Sequence, residues 1–175
     1  MTRTAASRAA DRHAARHEAA HAVVAARLGL PLVYTDIIEH GTGWGARSGR
    51  TRLGRAAETN LTALATVAAA GIVAEGGDWD VPFTAPAAHD VLALGRIAQR
   101  LGVLRDWKDT DDDPAFGPWA MAAVRRARTR LRRDGGAAWR RVTAALLHDN
   151  RVLGAAVYLL VQRRPRQAHT PRRTR

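Results

Sequence analysis

The sequence contains no cysteine. That absence excludes disulfides, thiolate zinc fingers, iron–sulfur clusters and cysteine nucleophiles together. Any metal must be held by histidine and carboxylate, a donor set that points to a catalytic rather than a structural site. Lysine is almost missing too: Lys108 is the only one among 28 basic residues. No stretch reaches the ~18–20 apolar residues of a transmembrane helix. The longest weakly polar run, Leu61 to Ala74, is mostly alanine and threonine and reads as a buried or half-buried helix. The first 20 residues lack the apolar core of a signal peptide. A cytoplasmic location, with no membrane partner, is therefore expected.

What is present fits one domain. The chain has 175 residues and 46% hydrophobic content, enough for a real core. Its net charge of +12 is unevenly spread. Eight arginines and one aspartate lie between Met121 and Arg141, and six arginines with no acid between Arg163 and Arg175. The first 120 residues are close to neutral. The basic character belongs to the C-terminal third, which implies weak attraction to polyanions.

Helix formers without proline or glycine run from about Ala5 to Leu28, and Gly29 and Pro31 give the stop signal. Leu32 to Ile38 is β-branched and apolar and reads as a strand. Gly41 to Gly54, with five glycines and Trp44, reads as a hairpin or irregular sheet ending near Leu53. Thr59 or Asn60 caps a second helix running to about Glu75. Asp78 to Ala88 reads as a loop, Asp90 to Leu101 as a third helix, and Asp106 to Pro118 as an acidic surface loop. Further helices are expected over Trp119–Arg133, Ala137–His148 and Val152–Val161. The fold class is thus mainly α with one small β-sheet. Residues 1–162 form the domain, and 163–175 an Arg/Pro-rich tail expected to be disordered.

His17-Glu18-Ala19-Ala20-His21 is an HExxH motif in the middle of the first helix. Residues i and i+4 share one helix face, so both imidazoles can bind one zinc ion. Glu18 lies beside them, placed to take a proton from a water that zinc has acidified. His13 lies one turn earlier, too far along the helix to complete a tetrahedral site easily. A catalytic zinc needs a third protein ligand. Glu75, Asp78, Asp80, His89 and Asp90 are candidates, with plainer roles open to each. Glu75 ends a helix and could face solvent, Asp78 and Asp80 could be turn residues, and Asp90 could cap a helix. Spacing does not choose among them.

The run RHEAAHAVVAARLG resembles the zinc helix of FtsH-type metallopeptidases, which typically read HEAGHA followed by small and aliphatic residues. PLVYTDIIEHGTGWGA is similar to that family's strand and glycine segment beside the active site. AAGIVAEGG resembles its second helix, AAHDVLALGRIAQRLG the segment whose helix-opening aspartate is the third zinc ligand, and the stretch from Pro118 to Leu147 its C-terminal helical hairpin. The likeness covers about residues 10 to 162 in order. It implies an FtsH peptidase-domain-like zincin fold, Zn2+ as cofactor, His17, His21 and Asp90 as ligands, and Glu18 as catalytic base. It gives Glu75 a supporting role. Ala20 stands where glycine is usual, His89 where asparagine is usual, and Leu94-Gly95 where Ala-Thr is usual.

The expected function is therefore zinc-dependent endopeptidase action on unfolded or flexible polypeptides, ATP-independent within this chain. The 175 residues hold no GxxxxGK[ST] phosphate loop, so the reading is of a stand-alone peptidase domain. The family couples its peptidase to an ATPase and assembles as rings, which implies a separate ATPase or a regulatory partner, and a homo-oligomer. The resemblance places substrate extended beside Tyr34 to Ile38, adding to a sheet edge. Trp44, Trp79 and Trp107 could line a pocket, although core packing is the more ordinary role. A different class stays open: a degenerate peptidase fold whose Arg-rich C-terminal third binds nucleic acid or an acidic partner. Against it, Arg125, Arg126, Arg128, Arg130, Arg132 and Arg133 spread around their helix, and only Trp119 and Trp139 flank them.

Overall fold

A computed structural model describes residues 5–39, 47–76, 85–108, 110 and 113–163. Within them the chain is mainly helical, with one three-stranded antiparallel sheet. The expected loop residues Asp78 and Asp80, the tryptophans Trp44 and Trp79, and the tail beyond Arg163 lie outside the described residues.

Helix α1, Ala5–Arg27, is the axis of the domain. Its alanines suit a helix and also let neighbours approach closely. Ala15, Ala19, Ala20, Ala22, Val23, Val24 and Ala25 are fully buried. Gly29, at φ +69°, closes the helix through bonds from its N–H to Ala26 O and from Leu30 N–H to Ala25 O. Strand β1, Leu32–Glu39, follows, then β2, Arg47–Leu53, and a 3₁₀ turn over Arg55–Thr59. Asn60, of the two expected caps, is the one that closes the next helix: its Oδ1 accepts from Ala63 N–H at 3.0 Å. Helix α2, Leu61–Ala74, packs its own run of buried alanines against α1. Helices α3, Ala85–Arg100, α4, Phe116–Arg132, and α5, Ala137–Asp149, complete the body. Strand β3, Arg151–Leu153, and helix α6, Gly154–Gln162, end the described chain. No helix among the described residues is long and apolar enough to cross a membrane.

Three expectations are corrected. Helix α3 begins at Ala85, so Asp90 lies in its second turn and is not a helix cap. Pro86 is tolerated because the first turn needs no intrahelical N–H. Helix α4 begins at Phe116, with Gly117 and Pro118 in its first turn for the same reason. The expected helix from Val152 instead starts as β3, since Arg151 and Val152 pair with Asp36 and Thr35. Gly154 then passes against β1, where any Cβ would overlap the Leu32 carbonyl.

The strand order is β2-β1-β3. Thr35 pairs with Thr51 and Val152, and Asp36 with Arg50 and Arg151. Alternation therefore sends the Thr35 layer toward α1 and the Asp36 layer to the opposite face. Strand β1 is central, with β2 along one edge and β3 paired to Tyr34, Thr35 and Asp36 along the other.

Candidate metal centre

Four elements, α1, α2, α3 and β2, build the site. Helix α1 supplies His17, Glu18 and His21, all buried. Asp90 comes from α3 and is 9% exposed. The end of α2 brings Glu75, whose side chain is 5% exposed. The carbonyl of Val67 and the hydroxyl of Thr51 complete the surroundings.

The two imidazoles are held from behind. His21 Nδ1 lies 2.7 Å from the Val67 carbonyl. A carbonyl only accepts, so Nδ1 carries the proton, and Nε2 of the neutral ring presents its lone pair. His17 Nδ1 donates in the same way to Glu75 Oε1 at 2.9 Å. Both Nε2 atoms then face each other at 3.0 Å. Asp90 closes the triangle, with Oδ2 at 3.2 Å from His17 Nε2 and Oδ1 at 3.3 Å from His21 Nε2. Its Oδ2 is buried without a hydrogen-bond partner.

Three electron-pair donors thus converge where neutral rings offer no proton between them. Such a cluster needs a positive charge in its centre. In the protein alone that charge is a proton. Burial by itself would lower the His21 pKa, but the Asp90 carboxylate outweighs it and pushes the ring up to about 10. Burial likewise works to raise Asp90, and the His21 charge brings it down to about 2. A cation would serve the same need. Ligands about 2.0–2.1 Å from a tetrahedral ion stand about 3.3 Å apart; the two Nε2 atoms are 3.0 Å apart, each lies 3.2 or 3.3 Å from a different Asp90 oxygen, and one donor atom from each residue lies within 4.8 Å of the other two. Among the described residues, these three make the one group of His and acidic side chains able to hold an ion.

Glu18 lies between this group and the sheet. Thr51 Oγ1 donates to its Oε2 at 2.8 Å, and Thr35 Oγ1 lies 3.0 Å behind Thr51. Burial raises the Glu18 pKa, partly offset by His21, His17 and the Thr51 hydroxyl. Gly49 makes room: a Cβ there would overlap the Glu18 side chain. Gly71 makes room in the same way on α2, where a Cβ would overlap Asp90 Oδ2 and lie 2.6 Å from His17 Nε2.

Of the sequence candidates, His17, His21 and Asp90 come together with Glu18 beside them. Glu75 supports His17 instead of joining the ligand atoms. His89 is exposed and outside the group. His13 is also outside it, with its side chain 49% exposed and its Nε2 3.6 Å from Glu75. Trp107 lies over Gly95 on α3, with the cations of Arg96 and Lys108 on its ring. Thr51, Gly49 and Gly71 were not anticipated. Gly71 did carry a signal, since a glycine inside an alanine-rich helix costs about 1 kcal/mol and calls for a packing reason. No protein-family profile matches the chain, and no curated protein is similar to it.

Proposed function

We propose that the chain is a zinc-dependent endopeptidase with an FtsH peptidase-domain-like zincin fold, acting on unfolded or flexible polypeptides. The observation that carries this reading is the convergence of His17 Nε2, His21 Nε2 and an Asp90 carboxylate with Glu18 buried beside them. Their nitrogen and oxygen donors, each imidazole fixed through its other nitrogen, suit zinc. Zinc held there would lower the pKa of a water toward ~7 and polarise a carbonyl.

The chain's own groups supply the rest. Glu18 accepts the proton of the attacking water and hands it to the leaving amine. Its raised pKa brings it nearer neutrality, where a base can both take and return a proton. Thr51 pins one carboxylate oxygen and so sets the plane of the group. The strand beside Glu18 is β2, whose outer edge is unpaired among the described residues. An extended substrate pairing there would add to an edge of the sheet that holds Tyr34 to Ile38 and would lie close to Glu18.

Glu18→Gln tests the reading. It keeps size and helix propensity and leaves all three ligands in place. With zinc content equal, cleavage of an unstructured peptide is expected to fall at least about a hundredfold. Undiminished cleavage by the variant, or no cleavage by zinc-loaded wild type, refutes the mechanism.

A further inference from the structure

One turn before His17, α1 leaves an open hollow against the C-terminal end of α2. It encloses about 420 Å³, between Arg12, His13 and Arg16 on one side and Glu75 on the other, with His17 in its wall. Among the described residues the remaining lining is small: Ala9, Ala74 and Gly76.

The hollow has a polarity. Arg12, His13 and Arg16 are exposed and form its mouth. The side chains of His17 and Glu75 are 9% and 5% exposed and form its floor. Glu75 Oε1 accepts from His17 Nδ1–H, with His13 Nε2 3.6 Å away, and its Oε2 is buried without a hydrogen-bond partner, so the floor is acidic and an anion is met at the mouth. Arg12 and Arg16 stand at i and i+4 on one helix side, a like-charge pair that disfavours the empty helix slightly. The Arg16 guanidinium lies 5.3 Å from the Trp139 ring centre, and Trp139 Nε1–H donates to the Arg16 main-chain carbonyl at 2.8 Å. Two guanidinium forks at the mouth of an open hollow match a carboxylate in shape and charge.

We propose that this hollow binds a polypeptide carboxylate and gives the metal centre a preference for substrates with an acidic residue near the bond to be cut. The preference rests on the peptidase reading, whereas carboxylate binding by the hollow does not. A carboxylate can come from an internal side chain or from a chain end, and the test separates the two.

The test uses zinc-loaded Glu18→Gln protein, which holds peptide without turnover, and fluorescence anisotropy of three labelled, unstructured dodecapeptides. One has a central glutamate and an amidated C-terminus, the second a central glutamine and an amidated C-terminus, the third a central glutamine and a free C-terminus. The glutamate peptide is expected to bind about fivefold more tightly than the amidated glutamine peptide, the upper range for an exposed ion pair. The advantage should vanish when Arg12→Gln is added and persist with Arg125→Gln, an exposed arginine of α4. Equal binding of all three peptides overturns the proposal. So does an equal loss with Arg125→Gln, which would mark the diffuse field of a basic protein. A gain confined to the free C-terminus overturns the internal-acid preference and leaves a chain-end site. If wild type cleaves nothing while the Arg12-dependent advantage remains, the peptidase reading falls and the carboxylate site stands.

Discussion

Asp36 and Asp90 are both buried carboxylates, and the molecule compensates them in opposite ways. Asp36 sits in the middle of β1, where Arg151 donates to its Oδ2 from Nη2 at 2.7 Å and from Nε at 3.1 Å. Arg50 approaches the same oxygen at 3.7 Å, and both guanidiniums lie over the Tyr34 ring. These partners are permanently charged, so the charge of the cluster is balanced as it stands, although Asp36 Oδ1, like Asp90 Oδ2, is buried without a hydrogen-bond partner. Asp90 has two imidazoles instead, each with its one neutral-state proton already committed elsewhere. That cluster is balanced only by an added proton or a cation. Both bury charge at a cost, but only the second leaves a place for something from outside. On the proposed reading, this difference separates a structural polar cluster from a functional one without appeal to any motif.

The largest expected effect tests this difference directly. Asp90→Asn keeps the shape of the side chain but removes the negative charge. Zinc affinity is expected to fall by more than about a hundredfold, the upper end of what losing an outer partner costs. Competition with a chromophoric chelator measures it. Full retention of zinc would mean that Asp90 is not a ligand. Asp36→Asn, run alongside, should leave zinc affinity unchanged.

Glu75→Gln comes next. Glutamine can still accept from His17 Nδ1–H, so the ring keeps its orientation but loses the charge behind it. Zinc affinity should drop by about 10- to 100-fold. Cleavage by fully loaded protein should change much less than with Glu18→Gln. A variant that binds zinc like wild type would reduce Glu75 to a packing residue.

The pH dependence of stability should report on the Asp90 cluster. In metal-free protein, the His21 pKa of about 10 lies above its ordinary 6.5. Its stabilisation is therefore complete below about pH 6.5 and is lost as pH rises through 10. Asp90, at about 2 against an ordinary 3.8, contributes above 3.8 and loses that contribution as pH falls through 2. Metal-free protein should thus be most stable between about pH 4 and 6.5. Zinc takes the place of the shared proton, so the alkaline decline should disappear in loaded protein. Thermal melts across this range, with and without zinc, read the effect. Superimposable profiles would break the assignment.

Much of this site was legible because it is local. The i, i+4 histidines and Glu18 share one helix, and helix periodicity alone puts them together. Asp90 was different: spacing left five candidates open, and only the resemblance singled it out. Its position depends on how α3 packs across α2, and the decisive feature is the absent side chain at Gly71. Thr51 was illegible for a similar reason. A threonine in a strand is ordinary, and its bond to Glu18 exists only once β2 lies across α1. The helices were readable from their periodicity and stops, but β3 was not. Three residues carry no period, and Arg151 to Leu153 is a strand because β1 offers it an edge.

The smallest expected effects lie in the Asp36 cluster and sharpen the comparison from its structural side. Arg151 makes two hydrogen bonds to a buried oxygen and ties β3 to β1, although its side chain is 56% exposed. Arg151→Gln should destabilise the fold by about 1–2 kcal/mol, between the values for charged hydrogen bonds and for exposed pairs. Arg50, with its side chain 53% exposed and only a 3.7 Å approach, should cost under about 0.5 kcal/mol when changed to glutamine. A cluster that balances itself should answer in this graded way, each partner according to its geometry. It should also answer only in stability, with zinc affinity and cleavage unmoved, because the β1 backbone separates its face from the face toward α1. Chemical denaturation of both variants, with zinc content measured in parallel, provides the comparison. Equal destabilisation would mean that Arg50 closes on Asp36 more tightly than 3.7 Å implies. Loss of zinc from either variant would mean that the two faces of the sheet are coupled, and the division between a structural and a functional carboxylate would fail.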